Sequence, residues 1–216
     1  MVHSLYADRI LSETQALSLM RAGGILLFPT ETLYAIGTNC ASLSALAAIC
    51  ALKDRPPNKP LPLAAADCCQ VHALCRTESC CDALFALWPA PLTVILPLRE
   101  PASMPLCVQN AQGEVAIRVS PHPIVRALAA YAPITVSSAN RAGCPPARGL
   151  STLDPALCAG IAESGLPWGM LAGSVGRSSL PSTIVRPQDG AIRVLRTGVF
   201  PLNLLREAGF SLLPET

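Results

Sequence analysis

The apolar runs of this chain are short, and prolines interrupt them. The chain has 216 residues and 21 prolines, and its longest apolar stretches, 24–28 and 92–98, are no longer than a strand. Pro29 closes the first stretch, and Pro97 lies inside the second. A helix that crosses a membrane needs about 20 consecutive apolar residues. The chain is therefore expected to fold from short strands and helices, without a membrane span.

Helical spacings alternate with these strand-like runs. Ser12 to Gln15 has the spacing of a capping box, and Asp154-Pro155 is a favourable start for a helix. Further helices are predicted at 43–53, 123–131 and 201–208, and further strands at 115–119, 134–136, 183–185 and 191–195. This order predicts an α/β or mixed α+β fold around one open sheet. The Gly- and Pro-rich stretch 141–151 is interpreted as a loop, so residues 1–216 are predicted to form a single domain.

Composition excludes several classes of protein. Hydrophobic residues make up 51% of the chain and charged residues 14%, which excludes a disordered protein. The net charge of +2 is too small to indicate nucleic-acid binding by itself. The first residues lack the pattern of a signal peptide, so we expect a cytoplasmic location and reduced, mostly buried thiols at the 10 cysteines. The cluster 68–81 contains no CxxC pair, and no metal site is predicted.

Lysine is rare in this chain, and both copies fall in one short segment. The 16 basic residues comprise fourteen arginines and two lysines, and Lys53 and Lys59 flank Arg55. An ammonium is a compact point charge that a planar guanidinium does not replace. The segment follows a predicted helix, and prolines stiffen it. It is therefore predicted to hold a cluster of positive charge against an anion, most simply a nucleotide phosphate.

Hydroxyl and cationic side chains also lie at the ends of predicted strands, in the segments 30–34, 137–140, 181–183 and 196–198. Ligands of open α/β sheets bind at such strand ends. GxSxG, HExxH, GxGxxG and P-loop motifs are all absent from the sequence. An enzyme built from these residues would work by positioning and electrostatics on a polyanionic substrate.

Arg118 is predicted to lie inside a strand. An unpaired charge in that position is costly, so the guanidinium requires a partner. Two partners remain open from the sequence: the carboxylate of a ligand, or an Asp or Glu of the chain itself.

Seven short strings occur in order along the chain. They are PTETLY (29–34), KDRP with KPL (53–61), WPAPLT (88–93), VAIRV with HP (115–123), SAN (138–140), PST (181–183) and LR (195–196). Together they resemble the motifs of the YrdC-like threonylcarbamoyl-AMP synthases, in their short, single-domain branch. The resemblance runs from about residue 12 to 205. It implies a twisted open sheet of parallel and antiparallel strands with flanking helices and a concave, basic face.

The resemblance implies a nucleotidyltransferase that condenses L-threonine, bicarbonate and ATP to threonylcarbamoyl-AMP and pyrophosphate. The threonine amine would form a carbamate, which would attack the α-phosphorus of ATP. Mg²⁺ would arrive bound to ATP, with no protein cage of its own. A separate threonylcarbamoyl transferase complex would then modify the tRNA adenosine next to the anticodon.

The resemblance also implies roles for individual residues. The ATP-binding residues would be Lys53, Arg55, Lys59, Ser138, Asn140 and Arg196, the first three on the phosphates. The catalytic residues would be Lys53, Arg55, Ser138 and Asn140. The threonine-binding residues would be Thr30, Arg118, Ser137 and Ser182, with Arg118 on the carboxylate.

Two positions depart from the pattern of the family. Ala35 follows Tyr34, where the family usually has glycine. Ala64 stands where many members have a histidine that contacts threonine. These departures bear on how threonine is bound and on which acceptor is used.

Two other hypotheses stay open. The chain could be a module that binds double-stranded RNA or tRNA on its basic face, which predicts a steep salt dependence of binding. It could also be a carbamoyl-adenylate enzyme with another acceptor.

Overall fold

Short helices and strands alternate along the computed structural model, which describes residues 5–56, 59–77, 80–101, 104–176, 178 and 180–213. The helices in these ranges are α1 (Glu13–Arg21), α2 (Leu43–Leu52), α3 (Cys68–Leu74), α4 (Cys80–Phe85), α5 (Pro123–Ala129), α6 (Pro155–Glu163) and α7 (Leu202–Glu207). Short 3₁₀ helices occupy Ala7–Arg9, Leu106–Val108 and Leu150–Thr152. No described helix has the length and apolar character that a membrane crossing demands.

The described strands are two to six residues long. They are β1 (Ile10–Leu11), β2 (Ile25–Pro29), β3 (Tyr34–Gly37), β4 (Leu63–Ala65), β5 (Leu92–Pro97), β6 (Glu114–Val119), β7 (Ile134–Thr135), β8 (Ser137–Ser138), β9 (Trp168–Leu171), β10 (Thr183–Gln188), β11 (Ala191–Arg196) and β12 (Leu212–Leu213).

These strands form two sheets, where one open sheet was expected. One has five strands in the order β1-β9-β2-β3-β8, and the other has seven in the order β12-β11-β10-β5-β6-β4-β7. Both sheets are mixed: β2 runs parallel to β9 but antiparallel to β3, and β4 runs parallel to β6 but antiparallel to β7. The predicted mixed α/β class, with both strand orientations and flanking helices, is confirmed. Apolar periodicity predicts strands but not their neighbours, so it did not separate the sheets.

Side-chain caps set the ends of several helices. In α1, the Gln15 amide donates to Ser12 Oγ at 3.3 Å and the Ser12 amide donates to Gln15 Oε1 at 2.9 Å, which confirms the predicted capping box. In α6, the Ala156 amide donates to Asp154 Oδ1 at 2.9 Å, as predicted for the Asp-Pro start. The caps satisfy amides that have no partner within the helix.

Strand β2 carries the core of the five-stranded sheet. All five of its residues are buried, and they alternate between two apolar clusters. Ile25 and Leu27 belong to the larger cluster, whereas Leu26 and Phe28 pack with Ala16 of α1 in the smaller one. This alternation is the two-residue period of a strand that is covered on both faces. The sheet is therefore an inner layer of the molecule.

Buried thiols contribute to this core. Cys40 and Cys158 are buried, and burial raises the pKa of Cys40 to about 12 and that of Cys158 to about 11. Both thiols stay protonated at neutral pH and behave as small apolar side chains. Among the described residues, no group of three or more His, Cys, Asp or Glu side chains is arranged to hold a metal ion.

The two sheets meet at Gly37 and Thr135. The Thr38 amide donates to Thr135 Oγ1 at 3.0 Å, and the Thr135 amide donates to the Thr38 carbonyl at 2.8 Å. A Cβ atom on Gly37 would lie 1.9 Å from the Thr135 carbonyl oxygen. Only glycine allows the two backbones to approach this closely.

We therefore expect Gly37→Ala to destabilise the fold. Forcing a methyl group against this backbone should lower the free energy of unfolding by about 1–3 kcal/mol. Urea unfolding measures the change, with Gly149→Ala as the control, because a Cβ atom there would have no neighbour within 4 Å. The control should change stability by less than about 0.5 kcal/mol. Equal effects of the two substitutions would contradict the close contact of the sheets.

Candidate active site

A cleft of about 200 Å³ lies between the two sheets. On the side of the five-stranded sheet, its polar lining is the turn after β2, with Thr30 and Thr32, and strand β8. On the other side, its polar lining comes from β5, β6, β11 and the residue before β10, namely Thr93, Arg118, Arg196 and Ser182. Arg55 reaches the cleft from the loop after α2. Polar side chains that are far apart in sequence therefore face one small space.

Three arginines, Arg55, Arg118 and Arg196, give the cleft its charge. Burial lowers the pKa of Arg196, and the charges of Arg118 and Arg55 lower it further. Burial also lowers the pKa of Arg55. Among the described residues that line the cleft, none carries a carboxylate. Concentrated positive charge in a partly buried space is a binding site for anions.

Arg118 has an internal partner, Glu31. Arg118 Nε donates to Glu31 Oε1 at 2.9 Å, and the two side chains are 5% and 9% exposed. Ser120 Oγ donates to the other carboxylate oxygen of Glu31. The sequence left open whether the partner of Arg118 is a ligand or a residue of the chain itself. For the Nε atom, the partner is a residue of the chain, Glu31. Arg118 nevertheless lines the cleft, so its guanidinium also faces the space where a ligand would lie.

Arg196 is fixed by the segment before β10. Its Nε and Nη2 donate to the Ser182 carbonyl at 3.1 and 2.8 Å, and Nη2 also lies 3.2 Å from Ser182 Oγ. Ser182 Oγ in turn lies 2.9 Å from Thr93 Oγ1. A Cβ atom on Gly198 would lie 2.2 Å from the Pro181 carbonyl, so this close packing requires glycine at 198. These contacts hold two hydroxyl groups and a guanidinium in one arrangement at the cleft.

The turn after β2 is folded around Thr30. Thr30 Oγ1 donates to the Leu33 carbonyl at 2.7 Å and accepts from the amides of Thr32 and Leu33, each at 3.2 Å. A threonine or serine hydroxyl stabilises a turn in this way. Because all three residues line the cleft, the side chain of Thr30 shapes the cleft wall as well as facing it.

Lys53 lies beside the cleft and does not line it. Its Nζ donates to the carbonyls of Ser138 and Asn140 at 2.6 and 2.7 Å, and lies 3.2 Å from Asn140 Oδ1. Ser138 Oγ donates to the same Oδ1 at 2.6 Å. Burial, with the nearby charge of Arg55, lowers the pKa of Lys53 to about 8. The ammonium therefore holds the segment that presents Ser138 to the cleft.

Lys59 and Arg55 both lie in the loop after α2, but only Arg55 lines the cleft. Arg55 Nη2 donates to the Pro60 carbonyl at 2.7 Å, and its Nε donates to the Lys59 carbonyl. Lys59 is exposed and lines a neighbouring cavity of about 260 Å³, which Arg55 also lines. Arg55 thus lies between the two spaces, and Lys59 stands at the outer one.

The structure brings most of the predicted site residues together. Those that line the cleft are Thr30, Arg55, Arg118, Ser137, Ser138, Ser182 and Arg196. Those outside its lining are Lys53, Lys59 and Asn140. Sequence reasoning missed two contributors, Glu31 and Thr93. The two residues lie inside two of the seven short strings, PTETLY and WPAPLT. The sequence did not show which side chains they would contact in the fold.

The two departures from the family pattern fall in different places. Ala35 lines the cleft, and Ala64 is fully buried in β4. Ala64 pairs in register with Arg118 of β6 and belongs to the smaller apolar cluster. The side chain at position 64 therefore supplies no hydrogen-bond donor beside Arg118.

A protein-family model, the Sua5/YciO/YrdC model described as telomere recombination, matches residues 18–198. The chain belongs to the Sua5/YciO/YrdC family. The resemblance that the seven strings carried is confirmed by this match.

Curated members of the Sua5/YciO/YrdC family resemble the chain over most of its length. The threonylcarbamoyl-AMP synthase of Alkalilimnicola ehrlichii is 34% identical over 180 residues, which cover 82% of this chain and 92% of the relative. The threonylcarbamoyl-AMP synthase of Stenotrophomonas maltophilia is 35% identical over 175 residues, which cover 78% and 90%.

Solved structures of the family share the fold. P. abyssi Sua5 complexed with L-threonine superposes with a TM-score of 0.77 at 26% identity, covering 94% of this chain. The chain spans 60% of the length of that Sua5 protein. E. coli YciO, at 22% identity, has a TM-score of 0.71, and the match covers 88% of this chain and 90% of YciO. The latter likeness concerns the fold alone.

The lowered pKa of Lys53 predicts how stability depends on pH. The ordinary pKa of lysine is 10.5, and the folded value is about 8. Between these values the unfolded chain binds more protons than the folded chain, so the contribution of Lys53 to the free energy of unfolding rises with pH. For one proton the slope is at most about 1.4 kcal/mol per pH unit.

The contribution is measured as the difference in unfolding free energy between wild type and Lys53→Met, from about pH 7 to about pH 11. The difference is needed because buried thiols such as Cys40 titrate in both proteins. A difference that falls through this range would show that the carbonyl acceptors keep the ammonium protonated.

Proposed function

We propose that this chain is a threonylcarbamoyl-AMP synthase, which condenses L-threonine, bicarbonate and ATP to threonylcarbamoyl-AMP and pyrophosphate. The observation that carries the proposal is the cleft with three arginines and no carboxylate in its described lining. ATP, a carbamate and an amino-acid carboxylate are all anions, and hydroxyl groups on both walls add hydrogen bonds to them. The names of the curated relatives support the same reaction.

The chemistry needs positioning more than a protein nucleophile. Bicarbonate takes up a proton and loses water to give carbon dioxide, and the threonine amine attacks this carbon dioxide and releases a proton, giving a carbamate. A carbamate oxygen attacks the α-phosphorus of ATP, and the bond to the bridging oxygen breaks as pyrophosphate leaves. Fixed cations in a partly buried cleft stabilise the charge that develops on the phosphoryl oxygens. Mg²⁺ accompanies ATP through the phosphates.

The residues divide between the two substrates. Arg55 and Arg196 bind the nucleotide, and Arg118 binds the threonine carboxylate, helped by the hydroxyls of Thr30 and Ser182. In support, Arg118 lies on the same wall as Ser182, opposite the turn of Thr30. Holding both substrates in one small cleft makes the reaction effectively unimolecular.

Lys53, Ser138 and Asn140 form the second part of the proposed nucleotide site. Their mutual hydrogen bonds make one rigid unit, of which Ser138 lines the cleft. Lys59 extends the positive charge toward the outer cavity. The product would pass to a separate transferase that modifies tRNA.

The RNA-binding hypothesis receives less support. Arg118 is 4% exposed, and the polar side chains face a cleft between the sheets and not an open surface, which favours a small-molecule ligand over a duplex. A steep loss of affinity for double-stranded RNA with added salt, together with no turnover, would favour it instead.

The first experiment measures pyrophosphate release from ATP by the purified protein, with bicarbonate. We expect release with L-threonine and much less with L-serine or without an amino acid. Product identity is checked by mass spectrometry. Release that does not depend on an amino acid, or depends on a different one, would contradict the proposal or redirect it to another acceptor.

A substitution at Arg196 tests the nucleotide half of the site. Loss of a charge-assisted contact to ATP is worth about tenfold or more in affinity. We expect Arg196→Met to raise the KM for ATP by at least that factor and to raise the KM for threonine by less, because Arg196 also holds Ser182 in place. Arg186→Met is the matched control, because Arg186 lies on neighbouring β10 and pairs with Glu114 outside the cleft lining. A larger change in the KM for threonine than in the KM for ATP would contradict the assignment of Arg196 to the nucleotide.

A further inference from the structure

Glu31 forms a buried ion pair at the wall of the cleft without lining it. Its side chain is 9% exposed, that of Arg118 is 5% exposed, and Glu31 Oε1 lies 2.9 Å from Arg118 Nε. Removing one partner of such a pair leaves an uncompensated buried charge, which is strongly destabilising. The contact is therefore a fixed part of the site and not a surface ion pair that forms and breaks.

Glu31 is held from more than one side. Ser120 Oγ donates to its second carboxylate oxygen, while Ser120 Oγ itself accepts from the His122 amide at 3.1 Å. The carbonyl oxygen of Glu31 is also closely packed, because a Cβ atom on Gly176 would lie 1.9 Å from it. With both oxygens bound and the backbone packed, the carboxylate is fixed in direction.

This arrangement decides which edge of Arg118 remains for a ligand. A guanidinium binds a carboxylate with two parallel N–H bonds, through the edge that includes Nε or through the end formed by Nη1 and Nη2. Glu31 occupies Nε. Within the described part of the chain, no hydrogen bond is made by the two Nη groups of Arg118, and the residue lines the cleft.

We propose that Glu31 is a positioning residue that locks the Arg118 guanidinium, so that its two Nη groups bind the carboxylate of the amino-acid substrate end-on. The proposal rests on the proposed function, since it concerns how the amino acid is held for carbamate formation and transfer. Glu31 does not touch the substrate. It acts through the direction of the guanidinium and by keeping a buried cation compensated when the cleft is empty.

The test variant is Glu31→Gln, which keeps the shape and a carbonyl acceptor for Arg118 Nε but removes the charge. We expect the KM for L-threonine to rise about tenfold or more, as for a weakened charge-assisted bond. The kcat at saturating threonine and the KM for ATP should change less than about twofold. Glu114→Gln is the matched control, because Glu114 pairs with Arg186 at 2.7 Å on the same strand as Arg118 and does not line the cleft.

Two further readouts separate positioning from general stability. In an Arg118→Met background, adding Glu31→Gln should leave the KM for threonine where Arg118→Met alone puts it, because Glu31 has no guanidinium to direct. The double variant should nevertheless melt at a higher temperature than Arg118→Met, because the lone buried carboxylate is gone. If Glu31 had a purely structural role, the KM for threonine and the melting temperature would change together.

The substrate side supplies a second test. L-Threonine amide lacks the carboxylate, so wild type and Glu31→Gln should bind it with equal, weak affinity in a thermal-shift titration. Ser120→Ala removes one of the two bonds to the Glu31 carboxylate and should raise the KM for threonine in the same direction, by a smaller factor.

The outcomes distinguish this proposal from the function on which it rests. If wild type releases pyrophosphate only with threonine but Glu31→Gln keeps the wild-type KM, the positioning role is wrong and the synthase proposal stands. If Glu31→Gln and Glu114→Gln change the KM equally, the effect is structural and the positioning role is again wrong. If wild type shows no threonine dependence, the proposed function fails, and the positioning role fails with it.

Discussion

One continuous segment, residues 134–138, takes part in both sheets, and the separation of the cleft walls depends on it. Ile134–Thr135 pairs with β4, Ser137–Ser138 pairs with β3, and the single residue Val136 between them lines the cleft. Strand register is fixed on each side, so neither sheet can slide without breaking hydrogen bonds. The two walls are therefore spaced before any ligand arrives, which lowers the entropy that binding must overcome.

The charged side chains of the cleft are held on these two fixed walls. Burial lowers the pKa of both Arg55 and Arg196, and the charges of Arg118 and Arg55 lower that of Arg196 further, because each effect opposes the charged form. An anion between the arginines relieves the repulsion between their charges, so the cleft favours binding of phosphate and carboxylate groups. Glu31 offsets Arg118 from behind the cleft wall, which keeps the cation tolerable in the fold and leaves the ligand space positive.

Much of this site follows from the sequence, because the residues that face the cleft sit at strand ends or in short polar strings. Thr30 and Ser182 lie in such strings and Arg118 in a predicted strand; the family resemblance implied all three as site residues, and all three line the cleft. The partner of Arg118 remained open, since a strand pattern does not show what lies opposite a side chain across 87 residues of sequence. Two-residue strands such as β7 and β8 carry no periodicity, so the division into two sheets was likewise beyond the sequence.

The contacts of Lys53 explain why this position has lysine and not arginine. Its ammonium directs three N–H groups from one atom toward the Ser138 carbonyl and both oxygens of Asn140, all within 3.2 Å. A planar guanidinium spreads its donors over three nitrogens in one plane and cannot converge on oxygens that close around a single point. Arginine at 53 would therefore have to open the segment that presents Ser138. Lys59 is exposed and stands under no such constraint in the described contacts, so the same reasoning does not extend to it.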